Sequence, residues 1–384
     1  MKKYLSLLTF LLTAASVTTA QNGEVFRMSE FAKPKKREII RIPNVDGYQV
    51  LKADFHMHTV FSDGHVWPNV RVQEAWNEGL DAIAYTEHVE YTPYKADVKV
   101  DNTRSYDLAE NQAAENNIIL IRGTEITRQT PPGHFNALFI GDASGYIADN
   151  DPSKDKAAIE KAVQQDAFLF WNHPGWKATT IEGSYEWIDF VDQLQKEKVL
   201  GGIEVFNGLG FHKKALDWAM DKGLTVMANS DIHNLVAHDY DLATDYVHRT
   251  MTLILAKERS AESIREALEA GRTVAWASKY LAGKEEHIKR LFNACVEVGP
   301  SYHSKKSKDA NGNETRTNYY EVTNNSDLYF ELVLRSGNGT KKIVLYPSSS
   351  QIITAKDGQS NLQYELVSAY IRSDEHPIVT LALK

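Results

Sequence analysis

From Leu51 onward the chain alternates between two hydrophobic rhythms. Short apolar runs recur in KADFHMHT, LDAIAYTEH, IILIRGTEI, HFNALFI, AFLFWNHP, GGIEVFNG, LTVMANSDIH and MTLILAKE, each the length of a buried strand. Between them, VRVQEAWNEG, KAAIEKAVQQ, the stretch from Tyr185 to Lys198, HKKALDWAMDKG and SAESIREALEAG space their apolar residues as amphipathic helices do. Strands alternating with crossover helices predict an α/β fold, and about seven such units over residues 51–290 suit a barrel better than an open sheet.

Past Val296 the grammar changes. NYYEVTNNSDLYFELVLRS, KKIVLYPSSSQIITA, LQYELVSAYIRS and HPIVTLALK are strand-like runs joined by Asn, Gly and Ser turns, with no helical period. They predict a small all-β, sandwich-like domain over residues 296–384, with KKSKDANGNETRTN as a mobile hydrophilic loop. At the other end, MKKYLSLLTFLLTAASVTTAQ places two lysines before an uncharged apolar run and small residues ending at Ala20. Residues 1–20 therefore read as a cleaved export signal, the run being too short to span a bilayer, and the mature protein as secreted or periplasmic. Residues 21–50 are a polar lead-in without a clear period.

Charge and cysteine content narrow the class. Removing the signal with its two lysines takes the formal charge from −8 to −10, which disfavours binding to a nucleic-acid backbone or an anionic membrane. The single cysteine, Cys295, can form no intramolecular disulfide, and in IKRLFNACV it reads as a buried thiol on a helix. Nothing fixes an oligomeric state.

The ends of the apolar runs collect metal-binding residue types. His56 and His58 end the first, with Asp63 in the loop after it; Glu87 and His88 end the second and Glu125 the third. His134 opens the fourth, His173 follows the fifth, and Asp231 and His233 follow ANS. Six of the thirteen histidines thus fall at strand ends, which in barrels converge on one mouth. Residues i and i+2 of a strand share a face, so His56 with His58, and Asp231 with His233, can address one ion. Imidazole and carboxylate are ligands for Zn, Mn or Fe, and a carboxylate such as Glu125 can bridge two ions. Nine such residues exceed one tetrahedral site and predict two or three divalent ions. Each motif alone is as easily a turn, a cap or a core pair; the ordered set is not. Glu87 stands apart, as a carboxylate orienting a ligand histidine or as a structural partner.

DFHMHT, SDG, YTEH, GTE, GH, NHP and SDIH, in this order over residues 51–280, resemble the motifs of the PHP superfamily, named for polymerase and histidinol phosphatase domains. The resemblance implies a distorted (β/α)7 barrel holding two or three metal ions. It implies that His56, His58, Glu125 and Asp231 hold one ion, Glu125, His134 and His173 a second, and Asp63, His88 and His233 a third. Some members carry histidine where Asp63 stands; no expected ligand is missing. The leader and the β domain are similar to a secreted bacterial subgroup of phosphodiesterases.

Clustered dications lower the pKa of bound water and neutralise a phosphate, which would let an acidic protein bind an acidic small-molecule phosphate ester. The expected reaction is attack of hydroxide on phosphorus, with phosphodiesters as substrates. Tyr91, Tyr94, Lys95, Arg128, Gln129, Trp176, Lys177, Asn207 and His212 follow the strands and are candidate substrate contacts. Aromatic rings could stack on a leaving group, and Lys or Arg could pair with a phosphate oxygen. His212 is the candidate proton donor, and Asp231 is assigned to catalysis as well as to metal. The alternatives are a phosphomonoesterase of the histidinol phosphatase type, an amidohydrolase, or a non-catalytic metal- or phosphate-binding module.

Overall fold

The computed structural model describes residues 36–240, 248–308 and 311–384. The expected export signal, and the lead-in as far as residue 35, lie outside the described residues. No described helix is long and apolar enough to cross a membrane.

Strand β1 (Gln49–Asp54) leads to helix α1 (Pro68–Asn77), and β2 (Ala82–Tyr85) to α2 (Arg104–Glu115). A hairpin follows, β3 (Ile119–Thr127) and β4 (His134–Leu138), then α3 (Asp155–Gln164). Next come β5 (Phe168–Trp171), α4 (Asp189–Lys196), β6 (Leu200–Asn207), the short β7 (Gly210–Phe211) and α5 (Lys213–Lys222). The region ends with β8 (Thr225–Asn229), the one-turn α6 (Val236–Asp239), β9 (Met251–Ala256), α7 (Ala261–Glu269), β10 (Thr273–Ala277), β11 (Tyr280–Gly283) and α8 (Glu285–Cys295). Helix α4 is shorter than the Tyr185–Lys198 stretch that its sequence pattern predicts.

The sheet is mixed and curled. β1, β2 and β3 run parallel, as do β5, β6 and β8, but β4 is antiparallel to both its neighbours and β9 is antiparallel to β1. The run of βα units expected from the sequence is thus interrupted by antiparallel strands. Between β8 and its neighbours β9 and β10 the bonds come from threonine hydroxyls: Thr252 Oγ1 accepts from Ala228 N and donates to its carbonyl, and Thr273 Oγ1 donates to the Val226 carbonyl. The mouth is sewn directly, Asp231 N donating to the His56 carbonyl (2.8 Å) and His58 N to the Ile232 carbonyl (3.1 Å). The interior below is packed by Phe55, Phe170 and Met227, all fully buried. A packed, curled sheet holds its rim residues rigidly, which a multi-ligand site requires.

The C-terminal part is all-β: β12 (Val296–Val298), β13 (His303–Lys308), β14 (Glu314–Asn324), β15 (Phe330–Ser336), β16 (Lys342–Leu345), β17 (Ser350–Lys356), β18 (Asn361–Leu366), β19 (Ala369–Tyr370) and β20 (Ile378–Ala382). β14 pairs with β12, β13 and β17 in one sheet, and β16-β15-β18-β20 form the other. The hydrophilic stretch expected as a loop is instead largely ladder, Lys305 pairing with Thr317 and Lys306 with Arg316. Every residue of β13 is exposed, so neither of its faces needs apolar residues and its sequence carries no strand period.

The two parts share a core. The Phe292 ring on α8 meets Phe330 edge-on at 5.2 Å, and Cys295 is buried beside them. β19 extends the curled sheet by pairing parallel with β11, and its Tyr370 packs 5.0 Å from Phe211. Arg372 reaches Asp221 at 2.7 Å, and Ser373 N donates to Asp217 on α5.

Candidate metal centre

The rim of the curled sheet gathers nine imidazole and carboxylate side chains. His56 and His58 directly follow β1, fully buried, alternating with the core residue Met57 as strand geometry requires. Glu125, in β3, is the buried centre of the group. His134 Nδ1 is 2.9 Å from its Oε1 and His88 Nδ1 2.8 Å from its Oε2. The other contacts are longer: His58 Nε2 is 3.4 Å from Oε2, and His56 Nε2 and His173 Nε2 are 3.5 and 3.7 Å from Oε1. Asp231 Oδ1 lies 3.1 Å from Nε2 of both His56 and His58. Asp63 faces the other corner, its Oδ2 3.2 Å from His233 Nε2 and its Oδ1 3.4 Å from His88 Nε2.

Donor atoms converge within 4.8 Å of one another in four overlapping groups: His58–Asp63–His88–His233, His56–His58–Asp231, His56–Glu125–His173 and His88–Glu125–His134. His56 Nε2, Asp63 Oδ1 and Glu125 Oε2 are buried without a hydrogen-bond partner, despite lying 3.5 Å or less from oppositely chargeable atoms. Each of the three residues belongs to at least one of the convergent groups. Orphaned buried donors are costly in a protein-only site, and cations fit such groups.

Local backbone serves the same end. His173 and Asp231 adopt left-handed backbone, φ 24° and 53°, uncommon for side-chain-bearing residues. Gly64 of the SDG motif is required: a Cβ there would lie 2.5 Å from the His58 carbonyl carbon, blocking the turn that brings Asp63 back over His58.

A second layer holds the ligands. Glu204, fully buried in β6, accepts from His56 Nδ1 (2.9 Å) and Asn229 Nδ2 (2.9 Å) through Oε1, and from His173 N (2.8 Å) and Asn207 Nδ2 (2.8 Å) through Oε2. A carboxylate only accepts, so Nδ1 of His56 carries a proton, and Nε2 is the nitrogen left to face a metal ion once its own proton is displaced. The sequence reading passes over Glu204, although a charged residue between Ile203 and Val205 of a buried run needs a buried partner. Glu87 is an orienter: it accepts from Thr59 N, Thr59 Oγ1 and Ser62 Oγ, and Ser62 Oγ lies 3.3 Å from His58 Nδ1. Asn172 Nδ2 donates to Glu125 Oε1 and Asn136 Oδ1.

Charge follows from this packing. Burial disfavours the charged form of His56, yet Asp231, Glu204 and Glu125 outweigh it and raise its pKa well above normal. Burial likewise opposes the charge on His88 and His233, but Glu125 and Asp63 at the first, and Asp63 and Asp231 at the second, raise both. Against their own burial, Glu125, Asp63 and Asp231 are held below the ordinary carboxylate range by the surrounding imidazoles. His58 is pushed down to about 3 by burial and by His233 and His88.

Above the cluster opens a cavity of about 530 Å³, with Asp63, His88, His134, His173, Asp231 and His233 facing it. Its other walls are Glu90, Tyr91, Thr127, Asn150 and Trp176. Tyr91 and Trp176 are each 53 % exposed, with Trp176 edge-on to His134 and His173 at 5.4 Å and Lys177 Nζ 3.7 Å from its ring centre. Several sequence candidates lie elsewhere. Arg128 is buried and spent on Asp155 (2.8 Å), Glu90 (3.0 Å) and the carbonyls of Asp149 and Asp151, so it does not face a substrate. Gln129 donates to the Asn150 carbonyl, and Asn207 bridges Glu204 and Asp231. Tyr94 packs 6.2 Å from His65, and neither it nor the exposed Lys95 lines the cavity.

His212 does not fit the role of proton donor. Burial and His173 push its pKa down to about 4, its Nδ1 accepts from Gly175 N, and it does not line the cavity. Asp231, held against its own burial below the ordinary carboxylate range by the histidines around it, faces the cavity as an acceptor. Glu90 was not anticipated: it accepts from Thr127 N and Arg128, and burial pushes it up to about 7.

A solved two-domain protein from Bacteroides vulgatus, described as containing a predicted PHP-like metal-dependent phosphoesterase, is 38 % identical to this chain. The match covers 91 % of this chain and 100 % of that one, with a TM-score of 0.82. This chain belongs to the PHP-like family. A family model for an Ig-like domain, DUF5001, matches residues 297–382. An uncharacterized protein of Methanocaldococcus jannaschii is 26 % identical over 191 residues, 48 % of this chain and 82 % of its own length. The match to the two-domain protein, covering 91 % of this chain, extends into the region that the Ig-like model matches.

Proposed function

We propose that the chain is a metal-dependent phosphoesterase, with small organic phosphodiesters as its substrates. One observation carries the reading: donor atoms that are buried, convergent and orphaned lie under an open cavity of about 530 Å³. His56, His58, Glu125 and Asp231 would hold one ion; Glu125, His134 and His173 a second; Asp63, His88 and His233 a third. Zn, Mn or Fe suits such a donor set. When bound, such ions supply an activated water and neutralise charge on the phosphoryl group.

The protein's own residues do the rest. Glu204, Glu87 and Asn172 orient the imidazoles and the bridging carboxylate, so the site is organised before substrate arrives. The composition of the walls supports the choice of a diester over a monoester. Among the described residues no Lys or Arg lines the cavity, and the adjacent Lys177 Nζ is engaged over the Trp176 ring, 3.7 Å from its centre, whereas Tyr91 and Trp176 offer aromatic surface to an ester substituent. Residues 1–20 are read as an export signal, which would place the enzyme outside the cytoplasm.

The test is turnover of bis(p-nitrophenyl) phosphate against p-nitrophenyl phosphate by Mn- or Zn-loaded protein, with His58→Ala as control. Faster diester turnover, lost in the variant, is expected. Faster monoester turnover would move the assignment to a phosphatase.

A further inference from the structure

Helix α1 carries a buried ion pair that no step above uses. The Arg71 guanidinium is fully buried, and its Nη1 lies 2.9 Å from Glu74 Oε2. Its remaining bonds go to backbone: Nε donates to the His58 carbonyl (3.0 Å), Nη2 to that of Ile232 (3.1 Å) and Nη1 to that of Asn234 (2.5 Å). Glu74 Oε1 accepts from Val236 N (2.8 Å). One side-chain pair thus grips the backbone of a candidate ligand, His58, and both neighbours of another, His233.

We propose that Arg71, with Glu74, is a positioning residue that sets the distance between the loop carrying His58 and Asp63 and the loop carrying Asp231 and His233. This spacing governs metal binding at the Asp63–His88–His233 corner, and the inference rests on the metal-centre reading above. The two loops are far apart in sequence, and around this corner they are otherwise joined by a few backbone bonds such as His65 N to the His233 carbonyl (2.8 Å) and by the exposed contact of His65 Nδ1 with Asn234 Oδ1 (2.5 Å). Asp63 comes from one loop and His233 from the other, so a small change in spacing acts directly on their shared donor group. A guanidinium suits the task because its planar fork can hold three carbonyls and a carboxylate at once. A point-like ammonium cannot reach all of them. If α1 needed only packing there, an apolar side chain would serve, since burying an ion pair adds little stability over an apolar one.

The experiment compares the full chain with Arg71→Lys and Glu74→Gln, each stripped with chelator and titrated with Mn²⁺. Bound metal is counted by elemental analysis and folding is followed by denaturation midpoint. Arg71→Lys is expected to lose one class of Mn²⁺ site or weaken it about 10–100-fold, the effect typical of residues that orient ligands. The Glu125–His134–His173 set takes no ligand from either loop and should keep its affinity. Glu74→Gln keeps an acceptor for Val236 N and should weaken the same class less. If folded Arg71→Lys binds Mn²⁺ like wild type and only its midpoint falls, the role is structural and the proposal is overturned. Should Arg71→Lys not fold, wild-type binding by Glu74→Gln overturns it equally. A wild-type chain that binds no Mn²⁺ would overturn the metal-centre reading itself, and this proposal with it.

Discussion

Replacing Glu204 with glutamine tests how the second layer supports the centre. The carboxylate accepts four hydrogen bonds, two on each oxygen, from His56, Asn229, His173 and Asn207. An amide keeps one acceptor oxygen, so two donors instead meet an NH₂ group and lose their partner. Hydrogen bonds to a charged acceptor are worth about 1.5–3 kcal/mol each, so losing two costs about 3–6 kcal/mol, with no solvent there to compensate. Whichever way the amide turns, His56 or the His173 backbone loses its anchor. Metal affinity should therefore fall about 10–100-fold as well. Denaturant unfolding of the metal-free protein measures the first effect and Mn²⁺ titration the second. A Glu204→Gln protein with wild-type midpoint and affinity would refute the assignment of Glu204 as the anchor of His56.

Three further outcomes are expected. Trp176→Ala should leave stability nearly unchanged, because the ring is half-exposed, and lower kcat/KM for an aryl diester by up to about tenfold, as loss of one stacking contact of up to about 1.5 kcal/mol implies; steady-state kinetics on aryl and alkyl diesters would detect it. Metal affinity should rise with pH, because His56, His88 and His233 hold protons above their ordinary range in the metal-free protein and binding displaces them, about tenfold per pH unit for each proton released. The sign for stability is opposite: these raised pKa values stabilise the metal-free fold fully below about 6.5 and the gain is lost as pH rises through them, so the thermal gain on adding Mn²⁺ should widen with pH. Deleting residues 297–384 should give insoluble protein, since Phe292 and Leu291 would lose cover worth about 1.5–3 kcal/mol each; soluble expression and circular dichroism of the truncated chain check this.

Periodicity exposes strands and helices because one face of each must be buried, so the α/β part and the change of grammar near Val296 are legible from sequence. Strand direction is not: HFNALFI looks the same whether β4 runs parallel or antiparallel, and only its pairing with β3 and β5 decides. The β13–β14 arm hides for the opposite reason, its exposed strand having no buried face to mark. At the site, residue types at strand ends point to the ligand candidates, since few other arrangements put so many imidazoles on one rim. Their supports are less visible. Arg128 looks available in TRQ because its partners, Glu90 and Asp155, sit in other segments. Arg71 likewise resembles any cation on an amphipathic helix until the loops it grips are placed in space.

The most direct test of the central account is a single titration. Chelator-stripped protein is reloaded with Mn²⁺ or Zn²⁺ while bound metal and hydrolysis of bis(p-nitrophenyl) phosphate are followed together, in wild type and in His58→Ala. The account predicts two or three bound ions, activity that rises with their binding and disappears on chelation, and loss of both in the variant. A wild-type chain that binds no metal, or whose hydrolysis ignores the metal it binds, would contradict it.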